Sequence, residues 1–417
     1  MGSADMNQGE AERYLRSLEL FGMRFGLDRM RRLMTALHHP ERRFRSIHVV
    51  GTNGKSSTTR MIAAILARHG LRTGVYLSPH LVSFGERIRV DDRDLEPERF
   101  AAAVARAARA AELVDRSAAQ DDHVTQFEAL TAAAYSELAE RDVEVAVIEA
   151  GLGGRYDATN VIPSSVQVLT SVGLEHTRWL GPTLRDIAGE KLAVVKPGGT
   201  LVLGAELDAD VERVAQRVAS EQHAEIVRAG VDPGVPVGAP GAYQRRNFAV
   251  ARAAAEAYLG TLDEAAVAAA AAEVRVPGRL QQVGSGPLTL LDGAHNPDGM
   301  RALVGSLPDL AERHERIVAV VSILDDKDAA AMLRSLLPIC SQVVFTRSSS
   351  PRALPPPTLE SLSRQLGGPP AEIVRVPDRA VDRARSLAGS AGLVIATGSL
   401  TLVADLLSAQ RSQAQAL

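Results

Sequence analysis

The stretch IHVVGTNGKSSTTRMIAAIL, residues 47–66, constrains the fold more than any other part of the chain. A β-branched run breaks at Gly51-Thr52-Asn53-Gly54-Lys55-Ser56, and a helical spacing of apolar residues follows. Strand, glycine-bearing turn and helix in direct succession are the unit of an α/β sheet. In such a turn, glycines let backbone N–H groups face an anion, the helix points its positive end at it, and a lysine neutralises its oxygens. Gly51, Gly54 and Lys55 meet these requirements. The usual pattern G-x-x-x-x-G-K-[ST] places its first glycine where this chain has Val49, so any phosphate loop here is a shorter one. A polar turn without a ligand also uses Gly and Asn, and further residues must decide.

Composition narrows the field. A chain of 417 residues exceeds what one ordinary domain needs. With 46% hydrophobic and 23% charged residues it is a normal globular protein. The formal net charge of −3 excludes a broad polyanion-binding surface, so phosphate chemistry is expected to be local and no nucleic-acid partner is expected. The lone Cys340 rules out an internal disulfide framework and a multi-cysteine metal site. The start MGSADMNQGEAERYLRSLEL lacks a basic flank followed by an apolar segment, and no apolar run reaches membrane-spanning length. The expectation is a cytoplasmic protein without a membrane partner.

β-rich runs alternate with Ala/Leu/Arg-rich helical stretches from about residue 45, the pattern of a mainly parallel sheet. Strands are predicted at 46–50, 73–77, 143–149 and 166–171. Pro and Gly in VRVPGRLQQVGSGPLTLLDGAHNPDGM announce a second α/β unit, with strands at 288–291 and in IVAVVSI, QVVFTR and GLVIATG. The predicted division is 1–283 and 284–417. Ligand-binding loops of such sheets lie at the carboxyl ends of the strands.

Several unusual residues fall there. VEVAVIEAGLGGRYDATN delivers Glu149 to a strand end, where one carboxylate suits Mg²⁺ as well as it suits solvent. Gly151-Leu152-Gly153-Gly154 is not a dinucleotide fingerprint, because Tyr156 occupies the third glycine position. Leu174-Glu175-His176-Thr177-Arg178-Trp179 sets a histidine among charges beside the only tryptophan, and DGAHNPDGM groups Asp292, His295 and Asn296 at a helix start. Asp or Asn at such a start also serves as a cap. Lys191, on a helix, would read alone as a solvated charge.

Taken together, LELFGMRFGLDRM, IHVVGTNGKSSTT, GVYLSPHLVSFGERIRV, TQFEALTAAAY, VIEAGLGGRYDATNV, LEHTRWLGPT, AGEKLAVVKPG, PGRLQ, DGAHNPDG and VSILDDKD resemble, in order, the folylpolyglutamate synthase/dihydrofolate synthase family of Mur ligases. The resemblance implies a two-domain Mur-ligase-like α/β fold: an N-terminal P-loop-type ATPase domain and a C-terminal Rossmann-like glutamate ligase domain, with ATP between them. It implies a cytoplasmic, monomeric ligase that activates dihydropteroate or a folate with ATP as an acyl phosphate, which L-glutamate attacks. Thr52, Asn53, Gly54 and Lys55 would cradle the phosphates, with Ser56 and Ser57 completing the loop. Asn247, Arg279, Asp292 and His295 would contact the nucleotide. Ser78, Glu149 and His176 would bind Mg²⁺. Lys191, as a carbamylated lysine, would hold a second Mg²⁺, and a monovalent cation is a further candidate. Lys191, Lys55 and His176 would thus serve catalysis. Gly22, Met23, Arg24, Phe25, Val124 and Thr125 would meet the pterin-bearing substrate. Candidates for the incoming glutamate are 325–328 and 348–352.

Three positions depart from the family pattern. Ser56 replaces a glycine, Glu175 and Arg178 alter the charges around His176, and Tyr156 replaces a common leucine. The competing expectations are a cell-wall amino-acid ligase of the same superfamily, for which only about fifty residues precede the phosphate loop, and a regulatory nucleotide-binding protein of the phosphate-loop class.

Overall fold

A computed structural model describes residues 6–19, 26–116, 122–307, 314 and 316–415. The chain divides into two compact units, residues 1–238 with 245–274, and residues 239–244 with 275–417.

The first unit is built on an eight-stranded sheet. Its strands are β1 (Arg45–Val50), β2 (Thr73–Tyr76), β3 (Ile88–Val90), β4 (Arg93–Asp94), β5 (Val145–Glu149), β6 (Val166–Leu169), β7 (Thr200–Leu203) and β8 (Glu225–Arg228), in the order β4-β3-β2-β5-β1-β6-β7-β8. All pairings are parallel except β2 with β3 and β3 with β4. Strand β1 lies between β5 and β6, with Val49 opposite Glu149 and also opposite Val168. A strand covered on both faces needs apolar side chains in both directions. This is why β5 reads VAVIE, with every residue buried and its one charge at the carboxyl end.

Helices cover both faces. On one, Gln126–Glu140 packs with Pro97–Arg116 and the helices Gln8–Ser17 and Asp28–Ala36 around Tyr76, Phe100, Leu130 and Tyr135. Alanines such as Ala103, Ala107, Ala132 and Ala133 are fully buried there, and their small size lets helix backbones approach closely. Farther along the same face, by the register that sets His48 beside Ile148 and Val50 beside Leu169, Leu184–Leu192 and Ala209–Gln222 cover Val50, Leu169, Leu201 and Leu203, while the helix Lys55–Arg68 packs against β1, β2 and β5. Each fully buried large apolar side chain contributes roughly 1.5–3 kcal/mol. The sheet faces therefore supply the stability, and the strand-end loops are left for chemistry.

The second unit has a six-stranded sheet of β9 (Gln281–Ser285), β10 (Leu288–Leu291), β11 (Ile317–Val321), β12 (Gln342–Phe345), β13 (Ala371–Ile373) and β14 (Leu393–Thr397), ordered β13-β12-β11-β14-β10-β9. Only the edge pair β9–β10 is antiparallel. Its core joins Leu290, Met300, Ile317, Val343, Phe345 and Ile395. Both units thus have the α/β character expected from the sequence. Among the described residues, no helix is long and apolar enough to cross a membrane.

Candidate active site

The loop after β1 is determined by close approach. A Cβ on Gly51, where φ is 155°, would stand 1.9 Å from Thr170 Oγ1, and a Cβ on Gly54, where φ is 85°, would stand 2.5 Å from Asn247 Oδ1. Only glycine fits either place. From Gly54 the chain enters the helix Lys55–Arg68, whose first-turn N–H groups have no partner within the helix.

The residues after β6 brace this loop. Thr170 Oγ1 donates to the Asn53 carbonyl at 2.7 Å, and Ser171 Oγ accepts from Asn53 N at 2.9 Å. Thr52 N donates to Ser171 O at 2.9 Å, and Thr52 Oγ1 accepts from Gly173 N at 3.0 Å. Two lysines meet at the first loop carbonyl. Lys55 Nζ donates to Gly51 O at 3.1 Å and Thr52 O at 3.2 Å, while Lys191 Nζ donates to Gly51 O at 2.8 Å. Lys191 is buried, and burial, followed by repulsion from Lys55, pulls its pKa down to about 7 against the opposing pull of Glu175 and Asp157. A helical lysine that reads as solvated in the sequence is therefore an interior amine beside the phosphate loop.

Glu149, only 1% exposed at the end of β5, joins two other segments. Its Oε1 accepts from Ser56 Oγ at 2.8 Å and its Oε2 from Ser78 N at 3.1 Å. One buried carboxylate beside a serine hydroxyl is a donor set suited to Mg²⁺, which takes oxygen ligands and keeps several positions for phosphates and water. Among the described residues, no group of three or more His, Cys, Asp or Glu side chains is placed to hold a metal, so a softer, protein-saturated site is not built here. The Ser78 segment is itself stitched together. Glu86 accepts from the amides of Leu81 and Val82, Arg87 Nε donates to His80 Nδ1 at 2.9 Å, and burial with Arg87 and Arg16 nearby pushes His80 down to about 3.

His176 has a left-handed backbone with φ of 53° and caps the turn Thr177–Leu180; its Nε2 lies 4.0 Å from Glu175 Oε1. Arg178 stacks over Trp179 at 5.1 Å. The glycine-rich segment after β5 is anchored by Asp157, a residue to which the sequence assigned no role. Its carboxylate accepts from Leu152 N at 2.7 Å and Thr159 N at 3.0 Å and also from the Thr159 hydroxyl, which meets His48 Nε2 at 2.9 Å. Burial raises the Asp157 pKa and, aided by Lys196, drives that of His48 down to about 3.

In the second unit, Asp292 organises the segment around β10. Its Oδ2 accepts from Tyr243 Oη at 2.7 Å and Leu280 N at 2.9 Å, and its Oδ1 from Ala294 N at 2.9 Å. Arg279 Nη1 donates to Gly278 O at 3.0 Å, and a Cβ on Gly293 would lie 2.4 Å from the same nitrogen. His295 Nδ1 is 2.8 Å from Gly293 O. Arg279, Asp292 and His295 are thus brought together, with Tyr243 an unforeseen member; Asn296 caps the helix Pro297–Val304. Asn247 belongs to the first unit and lies against Gly54. Farther along, Arg352 pairs with Asp326 at 3.4 Å and Ser349 hydrogen-bonds Asp405. The hydroxyls of Thr346, Ser348 and Thr397, at or just beyond the ends of β12 and β14, are buried without a partner.

Gly22, Met23, Arg24 and Phe25 lie outside the described residues. Val124 is buried, and Thr125 caps the helix Gln126–Glu140 in a reciprocal box with Glu128. Arg29 holds that box through Nε to both Glu128 oxygens, at 3.2 and 3.0 Å, and reaches Asp122.

Comparison with known proteins agrees with this geometry. Residues 49–253 match the Mur ligase middle domain, and residues 278–400 match the Mur ligase, glutamate ligase domain. Over 407 residues the chain is 34% identical to the dihydrofolate synthase/folylpolyglutamate synthase of Mycobacterium tuberculosis, covering 88% of this chain and 83% of that protein. The structure of E. coli FolC in complex with DHPP and ADP superposes with a TM-score of 0.87 at 29% identity, covering 99% of each chain. That of the bifunctional folylpolyglutamate synthase/dihydrofolate synthase from Yersinia pestis, complexed with AMPPNP and Mn ion, gives 0.85 at 28% identity, again covering 99% of each. The chain is a Mur-type ligase and belongs to the dihydrofolate synthase/folylpolyglutamate synthase family.

Proposed function

We propose that this chain joins L-glutamate to the carboxyl group of dihydropteroate, of folates, or of both, at the expense of ATP. The observation that carries the reading is the convergence on one phosphate loop of a buried carboxylate, Glu149, and a buried amine, Lys191, tied to it through Ser56 and Gly51. A carboxylate resists attack by an amine because it is anionic and lacks a leaving group. Transfer of the ATP γ-phosphoryl group to it forms an acyl phosphate, the glutamate amine adds to the acyl carbon, and phosphate departs as the amide forms. Such transfer depends on positioning and on charge neutralisation.

Residues 1–283 would bind ATP through Thr52 to Ser57 and Arg279, with Asn247 against the loop, and residues 284–417 would handle glutamate, with Asp292 and His295 toward the nucleotide. Ser78, Glu149 and His176 would hold Mg²⁺, which would offset charge on the phosphate oxygens. Relatives solved with ADP, and with AMPPNP and Mn ion, support nucleotide and divalent-metal use. The lowered pKa of Lys191 favours the neutral amine that a carbamate requires, so carbamylated Lys191 would supply an anionic oxygen to a second ion. Gly22 to Phe25, Val124 and Thr125 would face the pterin-bearing substrate. The three unpartnered hydroxyls at Thr346, Ser348 and Thr397 suit the polar ends of glutamate.

The test supplies purified protein with ATP, Mg²⁺ and glutamate, and offers dihydropteroate and tetrahydrofolate separately. Phosphate release and product mass are followed. Release that needs both acceptor and glutamate, with a product heavier by one glutamyl residue, is expected. Equal release without either would overturn the reading.

A further inference from the structure

Ser56 stands where the family resemblance leads one to expect glycine, and its hydroxyl is used. Oγ donates to Glu149 Oε1 at 2.8 Å, while Ser78 N donates to Oε2 at 3.1 Å. The carboxylate is therefore held at both oxygens, from one side by the phosphate-loop helix and from the other by the segment after β2. Its burial makes those bonds consequential. At 1% exposure Glu149 has lost bulk water, and hydrogen bonds to a desolvated carboxylate are stronger than neutral ones. A carboxylate gripped at one oxygen can still turn about its terminal bond, whereas one gripped at both presents its remaining lone pairs in one orientation.

We propose that Ser56 is a positioning residue: it orients Glu149 for the divalent cation that accompanies the nucleotide, and thereby couples the phosphate loop to the cation. This rests on the reading of the site as a metal–nucleotide site. Ser56 acts through the carboxylate, so its contribution requires an intact Glu149. Residues that orient metal ligands commonly contribute 10–100-fold to metal affinity.

The experiment measures, by calorimetry on the full chain, affinity for ADP with Mn²⁺ and for ADP with EDTA; the ratio isolates the cation's share. In Ser56→Ala and Ser56→Gly the ratio is expected to fall on the order of tenfold; because each variant is divided by its own metal-free ADP affinity, a loss of loop contacts or of stability that affects both conditions alike does not move the ratio. Ser56→Thr, which keeps the hydroxyl, should restore the ratio. In a Glu149→Gln background, Ser56→Ala should cost nothing further. An unchanged ratio in Ser56→Ala overturns the proposal, as does an equal loss in the Glu149→Gln background, which would mean that Ser56 acts without Glu149. A wild-type ratio of one would overturn the metal–nucleotide reading itself and the proposal with it.

Discussion

Lys191 Nζ donates to the Gly51 carbonyl at 2.8 Å, linking a helix to the first residue of the phosphate loop across 140 positions of sequence. If Lys191 acts as a carbamate, Lys191→Ala should lose on the order of 10²–10³ in kcat, with partial recovery on adding acetate or formate. A fully active variant, measured by phosphate release, would remove Lys191 from the mechanism.

Burial, then Lys55, lowers the Lys191 pKa to about 7. Reactivation of CO₂-stripped enzyme by bicarbonate should therefore climb through about pH 7 and level off above it, whereas an ordinary lysine, near 10.4, would still be climbing. The same shift has a stability consequence in CO₂-free buffer. Between about 7 and the ordinary lysine value of 10.5 the unfolded chain binds the proton that the folded chain has released, so stability rises with pH across that window. Lys191→Met should flatten the rise, as read from urea midpoints at a series of pH values.

Gly51→Ala would place a methyl group 1.9 Å from Thr170 Oγ1 at a positive φ. The strained conformation and the clash together should cost about 2–4 kcal/mol of stability and weaken ADP binding. Thr170→Ala removes the nearest atom, so the second cost should shrink in the double variant while the backbone cost remains. Additive losses in thermal unfolding would show that the clash is not the cause.

Tyr243 reaches Asp292 by a 2.7 Å hydrogen bond that spans 49 residues of sequence. A bond to a charged acceptor is worth about 1.5–3 kcal/mol. Tyr243→Phe should lower the denaturation midpoint accordingly, while Tyr243→Leu, which also loses ring packing, should lower it further. Equal midpoints for wild type and Tyr243→Phe would show that solvent replaces the phenol without cost.

The strand–loop–helix at residues 45–68 was legible because a strand buried on both faces must read as an unbroken apolar run, and the glycines that follow mark a turn. Strand β5 was legible for the same reason, and its single carboxylate stood out at the end. By contrast, β3, β4, β8 and β9 are short or half-exposed, and no pattern of period two or of continuous burial separates them from loops. Lys191 could not be found from spacing. Its helix carries polar residues on several sides, and only the packing of that helix on β6 and β7 turns this lysine inward. Thr170, Ser171 and Asp157 brace the site through register with β1 and through backbone amides, which one-dimensional sequence does not display. Family resemblance recovered Lys191 but gave no role to these three.

Arg29 and Glu128 form the buried pair that holds the segment 122–125, with side chains 9% and 8% exposed. The pair matters because Glu128 also closes the cap on Thr125, accepting from its backbone N and its hydroxyl at 2.9 Å each. Removing the guanidinium leaves an uncompensated buried carboxylate, which typically costs about 3–5 kcal/mol. Arg29→Met should therefore destabilise the first unit strongly. Arg29→Lys should recover little, since an ammonium cannot span Glu128 and Asp122 with the same planar fork. Glu128→Gln keeps the cap acceptor while removing the charge, so combining it with Arg29→Met should be milder than Arg29→Met alone. If Val124 and Thr125 face the pterin-bearing substrate, Arg29→Met measured below its melting temperature should raise KM for that substrate and leave KM for ATP unchanged. A parallel rise in both would mean that this network supports the whole unit and not the acceptor site in particular.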